Sequence, residues 1–204
     1  MLLVLACSPA KAAAPPDPAA LLAALQHPAP TATAFFERRQ SPLLAQPLLF
    51  SGELQRPVAG TLVKRIDRPY LELTRIEGEK VSVERDGEPA RKFSLRRAPE
   101  LRALTASIEA VLGGDLVLLQ KYFRLRMNGT EAAWTLNLTP IDKRLAKRVD
   151  SMRFLGSGGQ LRCMDLALAG KENSRTWLAE RATTAAAAPD EATRDALCGA
   201  AGAP

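Results

Sequence analysis

Histidine is almost missing from this chain: His27 stands alone among 204 residues. Cysteine is scarce too, occurring only at positions 7, 163 and 198. Zinc centres draw on four Cys or His ligands, or three with an open position, so this inventory excludes most of them. A histidine-based triad has only His27, set between Gln26 and Pro28 with no local partner to position it as a base. Aromatic residues make up 5% of the chain, and no RNP-like motif is present. Single-stranded nucleic acid is usually gripped by aromatic stacking platforms in a basic groove, and those platforms are missing. No apolar run approaches the ~18 residues of a membrane-spanning helix, and mean hydropathy is −0.09.

What is present is an ordinary soluble composition with a basic bias. Hydrophobic residues are 47% and charged residues 25%. Lys+Arg number 28 against 22 Asp+Glu, a net charge of +6, with a pI near 9.5. The cations come as scattered pairs, such as Arg38-Arg39, Arg96-Arg97 and Lys147-Arg148. Such a surface suits an anionic headgroup layer or an acidic partner. The length fits one domain with a sizeable core.

The first residues, Met1-Leu2-Leu3-Val4-Leu5-Ala6, are apolar, and 8–14 are rich in small residues with A-x-A patterns. Residues 1–14 therefore read as a signal peptide that lacks its basic n-region and most of its h-region. Val4-Leu5-Ala6-Cys7 also has the form of a lipobox, which gives an alternative in which Cys7 anchors the protein to a bacterial membrane. An exported protein sits in an oxidising compartment, where Cys163 and Cys198 should pair. The alternative is two buried free thiols. A bridge would tie the Ala-rich tail, residues 182–204, back to a body spanning 15–181.

Asp17-Pro18 opens a short amphipathic helix carrying Leu21, Leu22 and Leu25, stopped by Pro28 and Pro30. From residue 34 the apolar period drops to two. Segments 48–54, 61–66, 70–76, 80–85 and 91–95 read as short strands between Gly, Asp and Pro signals. Asp86-Gly87 and Asn128-Gly129 read as hairpin turns. Residues 99–112 return to helical period through Leu101, Leu104, Ile108 and Val111, and a second short helix follows to about residue 121. Strand signals resume at 123–127 and 134–138, then at 149–155, 160–168 and 175–179, with a basic connector at 141–147. A further helix is expected over 190–198. The fold class is mainly β: about ten short strands in a curved antiparallel sheet or unclosed barrel, with a helical insertion midway.

Two features that mimic active-site chemistry have simpler readings. Glu72, Glu77, Glu79 and Glu84 sit on strands and turns and alternate with apolar residues, which places them on a solvated face. A hidden acid pair for glycoside hydrolysis would have to come from such residues. Gly156-Ser157-Gly158-Gly159 joins two strands, whereas a phosphate loop needs a helix N-terminus behind it. The apolar faces are more telling. A curved sheet with helices beside it either encloses a cavity or packs solid.

The order of these elements carries a resemblance. After the leader and first helix come Ala34-Phe35-Phe36-Glu37, Gly52-Glu53-Leu54, Gly60-Thr61-Leu62 and Arg68-Pro69. Hairpins run to Asp86-Gly87, the helical insertion spans 99–119, and Trp134-Thr135-Leu136-Asn137-Leu138-Thr139-Pro140 follows. Over residues 21–179 the chain resembles the periplasmic outer-membrane lipoprotein carrier family (LolA-like), in its divergent branch. The resemblance implies an unclosed antiparallel barrel with a helical lid over a hydrophobic cavity, and a periplasmic location. It implies that acyl chains are received from an inner-membrane transporter and passed to an outer-membrane acceptor. The divergent branch extends the cargo to glycolipid or polyene-type lipids. An arginine preceding a proline helps hold the lid closed in the best-known branch, and Arg68 is the matching residue implied here.

The resulting expectations are specific. Phe36, Leu62, Leu71, Leu73, Trp134, Leu136 and Leu138 are expected to form the cavity wall, and Leu101, Leu104 and Ile108 the lid. No catalytic residue, metal or cofactor is implied; the chain is read as a non-enzymatic monomeric carrier without a nucleic-acid partner. The alternative is an envelope module that binds a protein, or senses stress, with the same half-barrel.

Overall fold

The computed structural model describes residues 15–199. The leader reading and Cys7 lie outside that range. The first element forms where the sequence supplies a cap. The Asp17 carboxylate accepts the Ala20 N–H at 3.0 Å, and Pro18 occupies the first turn of α1 (Pro18–Ala24). Six strands follow: β1 (Thr31–Gln40), β2 (Leu48–Arg56), β3 (Thr61–Arg68), β4 (Glu72–Glu77), β5 (Lys80–Arg85) and β6 (Arg91–Ser94). A 3-10 turn over Leu95–Arg97 leads into α2 (Pro99–Gly113), which ends on Gly114 at φ 72°, and then α3 (Leu116–Tyr122). The chain continues through β7 (Phe123–Thr130), β8 (Ala133–Pro140), the single-turn α4 (Lys143–Ala146), β9 (Val149–Ser157), β10 (Gln160–Leu168) and β11 (Asn173–Leu178). It closes with α5 (Glu180–Ala187) and α6 (Glu191–Ala196).

All eleven strands belong to one antiparallel sheet in the order β6-β5-β4-β3-β2-β1-β11-β10-β9-β8-β7. The terminal strands β1 and β11 thus pair at its centre, and β6 and β7 are the free edges. Both edges carry cations, Arg91 and Lys92 on one and Arg124 and Arg126 on the other, which discourages edge-to-edge association. The sheet is an unclosed barrel of eleven strands, where about ten were expected.

Register assigns each residue to a face, since partners across a ladder share one. Leu136 pairs with Phe154 and Met127, Phe154 with Met164, and Phe35 with Leu178. These residues define the inner face. Helices α1, α2 and α3 cover it, and Leu21, Leu22, Leu25, Ala110, Val111 and Leu119 join Trp134, Leu136, Leu138 and Met152 in the largest apolar cluster. Full burial of each large apolar side chain contributes roughly 1.5–3 kcal/mol. Gly156 is required here: a Cβ at that position would lie 2.3 Å from the Trp134 ring, whose indole N–H donates to Gly158 O at 2.8 Å. A second cluster of Leu62, Ile76, Val81 and Leu95 receives Leu101 and Ile108 of α2.

The outer face has its own cover. Phe36, Trp177 and Leu155 pack beneath α5 and α6 with the Cys163–Cys198 disulfide. Beside them Asp165 accepts Arg175 at 2.7 Å and Arg153 at 2.6 Å, and Asp195 meets Arg175 at 3.1 Å. The bonds to Asp165 hold the Arg175 guanidinium well above its ordinary range, against the opposing effect of burial.

Local departures from the sequence reading have identifiable causes. The Asn128-Gly129 turn does not form. Strand β7 runs through both residues to Thr130, and Glu131-Ala132 make the turn. Gly129 keeps its positive φ of 88° inside the strand, where a Cβ would lie 2.1 Å from Ala133 O. The basic connector contains α4, because the Asp142 carboxylate accepts the N–H groups of both Arg144 and Leu145. Helix α5 spans the boundary placed between body and tail and packs on β1 and β11.

Candidate functional site

Between the inner face and the helices lies a partly open cavity of about 460 Å³. That volume is within the roughly 300–1,000 Å³ typical of small-ligand pockets. Its apolar wall includes Leu54, Leu62, Phe154, Leu161 and Met164 from the sheet and Ile108 from α2. It opens at the rim where β1 and β10 begin and β2 and β11 end, with His27, Gln160, Arg162, Ala179, Glu180 and Arg181 around the mouth.

The structure redistributes the residues expected to line such a space. Leu62 and Ile108 lie on the cavity itself. Trp134, Leu136 and Leu138 are on the same face but fully buried beneath α1–α3, deeper in the packed half of the sheet. Leu104 packs with them, while Leu101 joins the cluster around Leu62. Three assignments are corrected. Phe36 pairs with Trp177 and Ser51 and lies on the outer face beneath the C-terminal helices. Leu73 sits in the ladder row of Arg65 and Glu84, also on the outer face. Leu71 precedes β4 and is 51% exposed. The inner-face residues of β4 are Glu72, Thr74 and Ile76, in register with Ile66, Lys64 and Leu62. An apolar pair at 71 and 73 marks a strand but not its face.

The link between sheet and helices is also not where the sequence reading placed it. Arg68 is exposed and makes no side-chain hydrogen bond or ion pair among the described residues. Arg56, at the end of β2 and likewise followed by a proline, is 6% exposed. Its Nη1 donates to His27 O at 2.8 Å and to Leu112 O at 3.4 Å, and its Nε lies 3.6 Å from the Glu109 carboxylate. One guanidinium thus holds the C-terminal ends of α1 and α2 against the sheet at the cavity's edge. A second tie is His27 N–H to Leu112 O at 3.1 Å. Of two Arg-Pro pairs, only the one whose arginine faces inward can reach the helices.

The inner face continues past Leu62 into a second groove of about 470 Å³ on β1–β6, lined by Arg39, Phe50, Lys64, Tyr70 and Arg85 among others. Glu37 is buried at this end, bonded to Lys64 and, at 2.8 Å, to Arg39. Burial by itself would raise its pKa, but the charges of Lys64 and Arg39 outweigh that and hold the carboxyl below the ordinary glutamate range. A depressed folded-state pKa gives stability that is present above the unfolded value and lost as pH falls through the folded one. Glu37→Gln should therefore destabilise the protein at neutral pH, and the deficit should shrink toward about pH 3. Urea denaturation across that range checks this; a pH-independent deficit contradicts it.

Among the described residues no cluster of three or more His, Cys, Asp or Glu could hold a metal ion. No helix among them is long and apolar enough to cross a membrane.

The family model for "Outer membrane lipoprotein carrier protein LolA-like" matches residues 10–201. The chain belongs to the LolA-like family. No curated protein matches it. Two solved structures are similar at low identity. One is a LolA superfamily protein from Nitrosomonas europaea, 11% identical, with a TM-score of 0.41, covering 78% of this chain and 90% of that one. The other is a Vibrio parahaemolyticus domain described as outer-membrane lipoprotein-sorting, 8% identical, with a TM-score of 0.34, covering 73% of this chain and 83% of that one. In this LolA-like chain the space between helices and half-barrel is apolar and reachable from one rim, with Arg56 at the junction.

Proposed function

We propose that the protein is a periplasmic carrier that shields the acyl chain of a lipoprotein or other lipid during transfer toward the outer membrane. The observation that carries this is the cavity: about 460 Å³ of aliphatic and aromatic wall open at one rim, in a chain of the LolA-like family. Each CH₂ removed from water is worth about 0.8 kcal/mol, so an acyl chain in transit needs such a shelter. A wall of dispersed apolar contacts also allows release, because no single contact dominates. An inner-membrane transporter as donor, an outer-membrane acceptor and a monomeric state complete the proposal. The cavity needs no cofactor for this task.

The test is native mass spectrometry with organic extraction on protein from its own host. Lipid or acylated peptide should co-purify. Ile108→Glu and Leu161→Glu each place a carboxylate on the wall at half-buried positions and should empty the cavity with the β-sheet circular dichroism unchanged. Retained cargo in both folded variants rejects this cavity as the binding site.

A second reading is favoured by one observation. The β1–β2 connection exposes Leu43 at 89% and Leu44 at 44%, an apolar tip suited to a protein partner. An empty, folded protein that forms a stable complex would select the partner-binding module over the carrier.

A further inference from the structure

The mouth of the cavity is cationic in an unusual way. Among the described residues, eight arginines are half-buried: Arg38, Arg75, Arg85, Arg153, Arg162, Arg175, Arg181 and Arg194. Six of them are held by protein groups: Arg38, Arg75, Arg85, Arg153 and Arg175 in ion pairs, and Arg194 by the carbonyls of Ala185 and Ala188. Arg162 and Arg181 are the two without a side-chain hydrogen bond or ion pair among the described residues, and both line the cavity mouth. A half-buried guanidinium loses hydration and ordinarily recovers it from a carboxylate or carbonyl. Two that find neither among the described residues, on the lining of one cavity, mark a place for an anion.

The backbone brings both arginines to the mouth by irregular means. A bulge in the β9–β10 ladder between Leu161 and Cys163 leaves Arg162 out of the pairing. Bulges re-aim side chains in this way, often beside functional sites. Ala179 has φ 53° and ψ −130°, a conformation that normally requires glycine. It turns the chain sharply from β11 into α5, so that Glu180 and Arg181 follow at the mouth. The other charged groups there are Glu180, which is exposed, and the Arg56–Glu109 pair, which neutralises itself. His27 is engaged with Leu25 O at 2.8 Å.

We infer that the cargo carries an anionic group, of the phosphate or carboxylate type, at the end of its acyl chain, and that Arg162 and Arg181 bind it at the cavity mouth. This rests on the acyl-binding reading above and adds the chemistry of the exposed end of the ligand. An uncharged lipid would fill the same apolar wall and leave both guanidiniums without a partner among the described residues.

The experiment uses the full, delipidated chain and displacement of a fluorescent apolar probe. Dodecyl phosphate is compared with the uncharged octaethylene glycol dodecyl ether, both below their micelle concentrations, and with inorganic phosphate alone. Dodecyl phosphate should bind roughly tenfold or more tightly than the ether, the scale of one charge-assisted hydrogen bond. The double variant Arg162→Gln, Arg181→Gln, with unchanged circular dichroism, should bring dodecyl phosphate down to the ether's affinity. Equal affinities in the unmodified chain, or a preference that survives the double variant, overturn the inference. Competition by inorganic phosphate as effective as by dodecyl phosphate also overturns it, since the site would then serve a free anion. Failure of both amphiphiles to bind would instead reject the acyl-binding reading itself.

Discussion

Arg56→Ala is expected to loosen the helices from the sheet and to cost about 3 kcal/mol of stability, the low end for breaking a buried ion pair. Three interactions disappear together: donation to His27 O at 2.8 Å, donation to Leu112 O at 3.4 Å, and the contact with Glu109 at 3.6 Å. The low end applies because the Glu109 side chain keeps 19% of its surface in water, which softens the penalty of the orphaned carboxylate. One Glu109 oxygen is already buried without a hydrogen-bond partner, so the variant leaves the carboxylate with less compensation still. Hydrogen exchange should report the change locally. Amides from residue 25 to 27 and from 108 to 114 should lose protection before those of the strands. Arg56→Lys should fall between, since an ammonium keeps the charge and cannot fork to two carbonyls and a carboxylate. Unchanged protection at both helix ends in the alanine variant would show that the apolar packing of α1 and α2 suffices without the guanidinium.

Cys198→Ser is expected to have the larger effect on global stability. The bridge joins residues 35 apart, and closing a loop of that size restricts the unfolded chain by about 4 kcal/mol on the chain-entropy account. At this chain length that corresponds to a fall in Tm of roughly 10 °C. The loss should appear first in the C-terminal helices. They are otherwise held by Arg194, whose carbonyl accepts the Trp177 indole N–H at 2.9 Å and whose Nε donates to Ala185 O at 2.9 Å, and by the ion pairs of Asp195 with Arg175 and of Glu191 with Arg38. Both sulfurs belong to well-buried residues, so the native protein should resist mild reductant and respond only where it begins to unfold. The measurement is thermal unfolding with and without reductant. A reductant-sensitive Tm in the native chain and an insensitive, lower one in the variant is the expected pair. Identical Tm values in all four conditions would assign the stability of the tail to packing around Trp177 instead.

Much of the fold is legible along the chain because it depends on local signals. Alternation marks the strands, and Asp17, Pro18 and Gly114 mark helix ends with side chains and φ angles that act within one turn. The same locality explains the misses. Asn128-Gly129 has the composition of a tight turn, yet the ladder with β8 extends the strand past it, since tertiary pairing outweighs a local preference. Helix α4 was hidden by its brevity; Asp142 ahead of Lys143 and Arg144 was the available signal.

The site was less legible than the fold, for a geometric reason. A period of two sorts residues into two sets and does not say which set is inside. On β8 the apolar set, Trp134, Leu136 and Leu138, is the inner one. On β4 the leucine, Leu73, belongs to the outer side, Leu71 lies just before the strand, and the inner set includes Glu72 and Thr74. Both faces of this sheet are covered in part, by α1–α3 inside and by α5 and α6 outside, so apolar residues beneath the helices are buried on either face. Phe36 is such a residue: it is apolar, buried and on the outer face.

The sequence by itself determined the class of architecture, the helical insertion and the residues able to form a disulfide. These follow from periodicity, element order and composition, which are properties of the chain read in one dimension. Only the tertiary structure decided that Arg56 rather than Arg68 ties the helices down, and that Arg162 and Arg181 line the same cavity. It also decided which leucines face the cavity. Those outcomes depend on ladder register, on a bulge and on the turn at Ala179, which bring together residues as far apart as His27, Arg56 and Leu112. Contacts of that separation are set by the packing of whole elements, and no local propensity encodes them.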